Sequence, residues 1–255
     1  MSFEIQGRRR DGIHEPRHFI VESEIQDFLS IRFPRPGGLR VRKVVTRSRA
    51  RRTQKYPSWK MDRMIECESG NELVAARIYD LDSNVVSFHE QAIAIRYSMA
   101  DEEREHIPDF VVRASDGVYV DEIKDHRDKE NPEIIARTSF LTPLLGRLGL
   151  KYRVRFVEKS RYQNTLGFCR SVLRFGRSDI SQVEREAARR LFNSGPSLTW
   201  GDMQSGRIGE RSRHIAARLL LEGEICVAEH DRPLQKTSRL FTTKGAKGQF
   251  DLWAA

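Results

Sequence analysis

Asp109, Glu122 and Lys124 are the residues whose types and spacing could do chemistry. Asp109 follows Pro108 in His106-Ile107-Pro108-Asp109-Phe110-Val111-Val112, and thirteen positions beyond it Glu122 lies in Val120-Asp121-Glu122-Ile123-Lys124. Side chains alternate along a strand, so Glu122 and Lys124 point to one face, which Val118 and Val120 share. If the two segments pair as a hairpin, Asp109 can lie beside Glu122. Adjacent carboxylates resist ionising together, and a divalent cation between them resolves the conflict. Oxygen ligands suit Mg²⁺ or Mn²⁺. Such an ion activates bound water and polarises a scissile phosphate, while Lys124 positions the nucleophile or offsets phosphate charge. That chemistry is phosphodiester hydrolysis; the plainer reading of so short a pattern is surface ion pairing.

These groups need a scaffold, and the flanking sequence supplies one. Ser69-Gly70-Asn71-Glu72 has capping-box spacing and predicts a helix running to about residue 80. It offers a third acid, Glu72, which is also the natural capping partner of Ser69; Glu68 is the substitute ligand. Strands are expected at 92–97, 108–113 and 118–124, the last two joined by a Ser115-Asp116-Gly117 turn. Pro132 opens a helix bearing Ile134, Ile135, Phe140, Leu144, Leu145 and Leu148, and 152–157 alternates as a further strand. The sum is an α+β core with a mixed sheet between helices. His89, His106 and His126 lack the pairwise spacing of a zinc site and read as surface or packing histidines without a catalytic role.

The charge is uneven. Residues 1–60 hold fifteen Lys and Arg against six Asp and Glu, the whole of the formal +9. A basic segment suits a polyanion, because each cation that neutralises a phosphate releases condensed counterions. Arg40, Arg42, Lys43, Arg47, Arg49, Arg51 and Arg52 are its candidate DNA contacts, against the alternative of a solvated basic arm. No apolar run approaches a membrane span, and Arg8, Arg9 and Arg10 lead into Asp11 rather than a signal peptide. Cys67, Cys169 and Cys226 are scattered and odd in number, fitting reduced thiols in a cytoplasmic protein.

The last third is helical and basic. Ser181 caps a helix with Val183, Ala187, Ala188, Leu191 and Phe192 in register; 199–203 reads as a second helix and 211–222 as a third. Strand-like segments at 225–228 and 238–243 follow. Three helices and a ribbon describe a winged-helix domain, whose third helix turns Ile215, Leu219 and Leu220 inward and lets Arg211, Arg213, His214 and Arg218 face out toward DNA. A helical accessory domain that binds protein is the alternative.

The pieces Glu68-Ser69-Gly70-Asn71-Glu72, Val85-Val86-Ser87-Phe88-His89-Glu90-Gln91, Ile107-Pro108-Asp109-Phe110 and Glu122-Ile123-Lys124, in that order over about residues 58–160, resemble the TnsA endonuclease subunit of heteromeric transposases, within the PD-(D/E)XK nuclease superfamily. The chain departs from that pattern at Ala92, where proline is common, and at Ser87, where an acid is frequent. The resemblance implies a restriction-endonuclease-like fold followed by a winged helix. It implies an active site of Glu72, Asp109, Glu122 and Lys124, with Mg²⁺ held by the three acids. It further implies cutting of the non-transferred strands at the 5′ ends of a transposon, beside a DDE transposase, TnsB, and an AAA+ ATPase, TnsC. The expected organisation is a basic arm over 1–57, a nuclease domain over 58–168 and a winged-helix domain over 169–255. Two competing functions are a non-catalytic winged-helix DNA-binding regulator and a stand-alone restriction or defence nuclease.

Overall fold

A computed structural model describes residues 20–22, 27–41, 53–194, 197–228, 232–243 and 253. The chain begins with strands β1 (Ile20–Glu22), β2 (Phe28–Arg32), β3 (Gln54–Ser58) and β4 (Arg63–Cys67), then helix α1 (Gly70–Leu81). Five strands follow: β5 (Val85–Glu90), β6 (Ala94–Met99), β7 (Glu102–His106), β8 (Phe110–Ala114) and β9 (Gly117–Asp125). After a 3-10 turn at His126–Glu130 come α2 (Pro132–Gly146), β10 (Leu150–Val157) and α3 (Lys159–Gly176). The remainder is α4 (Gln182–Ser194), β11 (Leu198–Thr199), α5 (Trp200–Gln204), α6 (Ser212–Leu221), β12 (Ile225–Val227) and β13 (Arg239–Thr242).

The architecture is α+β. Its central sheet has the order β10-β9-β8-β5, with β10 parallel to β9 and the other pairs antiparallel. The β8–β9 hairpin forms where the turn signal predicts it: Ala114 pairs with Gly117, which takes φ +145° and so uses the freedom of glycine. One face of this sheet sends Phe88, Phe110, Val112 and Ile123 into a core shared with Val74, Ile78 and Tyr79 of α1. The other sends Val120 and Tyr152 against Leu141, Leu144 and Leu145 of α2. The sheet is thus covered on both sides.

Three sequence expectations are corrected. The strand expected at 92–97 is β6, two residues later, and it belongs to a separate antiparallel sheet of order β1-β2-β6-β7. Its partner β2 lies in the segment expected to be an arm, where Phe28 and Ile31 are buried beside Ile95 and Tyr97. Residues 1–57 therefore contribute strands to the core.

The third correction concerns the division at 168/169, which falls inside α3. One hydrophobic cluster runs from Tyr56, Ile65 and Val74 through Phe168, Val172 and Leu173 to Ile215, Leu220 and Leu240. Trp253 returns to the same region, its ring 5.6 Å from that of Tyr79 and 6.2 Å from that of Tyr162. Close approach of α3 to α6 rests on Gly176, where a Cβ would lie 2.7 Å from the Ala217 carbonyl oxygen.

Within the last third the order is helix, short strand, helix, helix and two strands, with β13 between β11 and β12 in a three-stranded sheet. Capping boxes start two of its helices: Ser181 with Glu184 before α4, and Thr199 with Asp202 before α5. No helix among the described residues is long and apolar enough to cross a membrane.

Candidate active site

Asp109 stands at the entrance to β8, one step beyond the Phe110–Asp121 pair, and therefore beside Glu122 on β9. Two backbone contacts fix it. Its carbonyl accepts from Gln91 N–H at 2.9 Å, and its carboxylate accepts from Ile123 N–H at 2.7 Å. On the opposite face of β9 the fully buried Asp121 accepts two bonds from Arg153, at 2.8 and 2.7 Å, and one from the Tyr79 hydroxyl at 2.7 Å. The neighbouring Glu122 is thus carried on a strand pinned from behind.

Glu122 is buried, and its two oxygens differ. Oε1 meets Lys124 Nζ at 2.6 Å and Arg137 Nη2 at 3.3 Å. Oε2 faces His106 Nε2 at 3.3 Å but has no hydrogen-bond partner. Burial pushes this carboxyl up, yet the neighbouring His106 and Lys124 outweigh it and hold it down at about 2. His106 is itself backed by the Tyr152 hydroxyl at 3.3 Å.

Glu72, at the start of α1, lies within electrostatic reach of both acids. The capping box forms as expected: Ser69 Oγ accepts from Glu72 N–H at 3.1 Å. The Glu72 carboxylate accepts from Ser69 Oγ and Glu68 N–H, each at 2.8 Å. Burial first, and then the charges of Glu68 and Glu122, raise the Glu72 carboxyl above its ordinary value, partly offset by those two bonds. Asp109 is raised well above the ordinary value by desolvation first, then by Glu122 and Glu72. The three acids therefore feel one another, with Lys124 beside them. Glu68 serves as a backbone donor to Glu72.

Whether these residues suit a divalent cation is a question of oxygens. Asp109 and Glu122 are hard donors under mutual repulsion, and Glu122 Oε2 is a buried oxygen with only His106 Nε2, at 3.3 Å, beside it. Those two fit. Both oxygens of Glu72 are engaged by its cap, and among the described residues no three His, Cys, Asp or Glu side chains are placed to share an ion. Glu72 thus enters as a third negative charge rather than as a ready ligand.

Sequence reading missed His106, Tyr152 and Arg137. His106 lacks metal spacing in the sequence, but it ends β7 and is packed against Glu122 and Tyr152. Its nearness to Pro108-Asp109 was the available signal. Arg137 lies in the second turn of α2, where nothing marks it in the sequence. His89 lies on β5, its imidazole pKa lowered by partial burial and then by Arg63. His126 opens the 3-10 turn.

The expected DNA contacts divide. Arg42, Lys43, Arg47, Arg49, Arg51 and Arg52 lie outside the described residues. Arg40 is ion-paired with Glu66 and lies 3.8 Å from Glu90. Arg211 is exposed but bonded to Glu184 at 2.9 Å and to the Asp179 carbonyl at 2.6 Å. Arg213 is exposed, with its guanidinium 5.0 Å from the Phe175 ring centre. Arg218 does not face out: it lies 4.9 Å over Trp59, pairs with Glu222 at 2.6 Å and is only 15% exposed. The reason is packing, because α6 buries Ala216, Ala217 and Leu221 as well as Ile215, Leu219 and Leu220, and α3 occupies the face expected to be free.

No family model matches this chain, and no match to it is found among curated proteins.

Proposed function

We propose that this protein is a metal-dependent DNA endonuclease with a restriction-endonuclease-like core, and that its last third is a winged helix. The observation carrying the reading is the meeting of Asp109 and Glu122 on one face of a pinned hairpin, with Lys124 2.6 Å from Glu122 and Glu72 in electrostatic reach. Asp109 and Glu122 are the residues that would hold Mg²⁺ or Mn²⁺. When bound, such an ion supplies an activated water and a Lewis acid for the phosphate. Lys124 places a positive charge where the phosphate charge grows, Glu72 adds a third carboxylate, and His106 orients Glu122.

The helix-strand-helix-helix-strand-strand order supports the winged-helix assignment. Because α6 is covered on most sides, Arg213 and Arg211 are better suited to contacting backbone phosphate than Arg218 is to reading bases. Following the motif resemblance, the proposed role is cutting of non-transferred strands at transposon 5′ ends, with TnsB and TnsC as partners.

The test is nicking of a labelled duplex by the full chain, alone and with the two partners, with and without Mg²⁺. Glu122→Gln and Lys124→Ala should each abolish metal-dependent cleavage while DNA binding persists. Undiminished cleavage by either variant would remove the site. Cleavage without partners would favour the stand-alone nuclease.

A further inference from the structure

We propose that Arg137 is a substrate-binding residue: its guanidinium grips a DNA phosphate beside the cleaved one, and Glu122 is its resting partner in the absence of DNA. This rests on the nuclease reading above and assigns the site a residue beyond its acids and lysine.

The first argument is placement. Asn131 caps α2 by accepting from Glu133 N–H at 3.0 Å, and Ile134, Leu141, Leu144 and Leu145 bury its inner face. Arg137 is therefore presented to the site by a rigid element rather than by a loop. Its side chain is 25% exposed, so part of it is open to the outside although Nε is covered.

The second argument is unmet hydrogen-bonding capacity. Guanidinium carries five N–H donors in a planar fork. Here Nη2 reaches Glu122 Oε1 at 3.3 Å, while Lys124 holds that same oxygen at 2.6 Å, and the guanidinium also interacts with the Tyr152 hydroxyl. The arginine is thus the more distant of two cations on one oxygen. Its Nε is buried without a hydrogen-bond partner, a costly arrangement unless a ligand completes it.

The third argument is charge. Were Asp109 and Glu122 to hold a divalent ion, the Glu122 carboxylate would no longer require both Lys124 and Arg137. The arginine fork then matches an anion of phosphate geometry, which it can hold bidentately. The alternative is that Arg137 merely neutralises a buried carboxylate.

The test measures DNA affinity of the full chain by fluorescence anisotropy across a range of salt concentrations, with Ca²⁺ in place of Mg²⁺. Losing one phosphate contact should make the slope of log K against log salt shallower by about 0.9 in Arg137→Gln. Arg137→Lys, which keeps the charge, should retain the native slope. A native slope in Arg137→Gln overturns the proposal, as does a native chain whose DNA binding ignores salt. Should Arg137→Gln misfold, a scan of single neutral methylphosphonates on the native chain decides. Affinity should fall sharply at one linkage flanking the cut in the native chain and less sharply at that same linkage in Arg137→Lys, whose ammonium keeps the charge but not the fork; a uniform small loss, or an equal fall in both chains, overturns the proposal. Cleavage in Mg²⁺ is scored separately with the two partners present, so a native chain that binds without cutting there defeats the nuclease reading, whereas one that cuts while Arg137→Gln keeps an unaltered slope defeats only the role of Arg137.

Discussion

Replacing Gly176 by alanine tests whether α3 joins the two halves as closely as the packing indicates. In isolation the change favours the helix, though by less at this last position than the about 1 kcal/mol by which alanine exceeds glycine in a helix interior. The surroundings oppose it. An added Cβ at 176 would lie 2.7 Å from the Ala217 carbonyl oxygen, 2.9 Å from its carbon and 2.7 Å from Leu221 Cδ1. The leucine methyl can turn away, but the carbonyl belongs to the backbone of α6. Ordinary contact requires about 0.7 Å more separation, and gaps of that size forfeit a quarter to a half of the dispersion between facing atoms. Overpacking of this kind costs about 1–3 kcal/mol, enough to reverse the propensity gain. Gly146 provides the control. It too is the last residue of a helix, with no positive φ, and nothing lies within 4 Å of its added Cβ. Urea unfolding of the full chain should show Gly176→Ala destabilised and Gly146→Ala neutral or slightly stabilised. Equal stability of the two variants, at or above the native value, would refute the shared core.

Further predictions concern the last third. Arg218→Ala should lower stability by about 1–2 kcal/mol through loss of the Trp59 stack, with an unchanged salt dependence of DNA binding, whereas Arg213→Ala should do the reverse. A native melting curve for Arg218→Ala with a shallower salt slope would restore the outward-facing reading. Burial raises the Glu222 carboxyl, but Arg185 and Arg218 outweigh it and hold it below the ordinary glutamate value. A depressed folded value means stability that is present above the unfolded value of about 4.3 and lost as pH falls through the folded one. Glu222→Gln should therefore be less stable at neutral pH and less sensitive to acid; an acid-unfolding profile parallel to the native one would contradict this.

Much of the scaffold was legible because its signals are local. Ser69 and Glu72 form their cap three residues apart, Ser115 and Asp116 form the loop of a two-residue turn, and the cap of α4 sits at Ser181. The acid pair and lysine were equally legible, since strand alternation and a hairpin suffice to gather them. What escaped depends on distant partners. β6 has a strand pattern, but nothing in residues 94–99 reveals that it pairs with β2 and β7 rather than with the central sheet. α3 hid because its apolar residues serve two neighbours: Tyr162, Leu166, Phe168, Cys169, Val172 and Leu173 are all buried, which blurs any single stripe. His106 meets Tyr152 across 46 residues, and Arg137 meets Glu122 from another element. Arg218 shows the limit of helical-wheel reasoning, because a guanidinium over an indole is as much a packing group as a surface charge.

The continuity of α3 has a consequence for anyone cutting or splicing this chain. A fragment ending at 168 would strip Cys169, Val172 and Leu173 from the layer against α1, the helix that presents Glu72. A fragment beginning at 169 would lose the first half of the helix on which α6 rests. The two halves are not cassettes to be exchanged at a hinge. On the proposed reading, whatever the last third grips would be held at a fixed bearing to the acids, so the offset between grip and cut would be set by the fold, as a gauge block sets a dimension, and not by the reach of a tether.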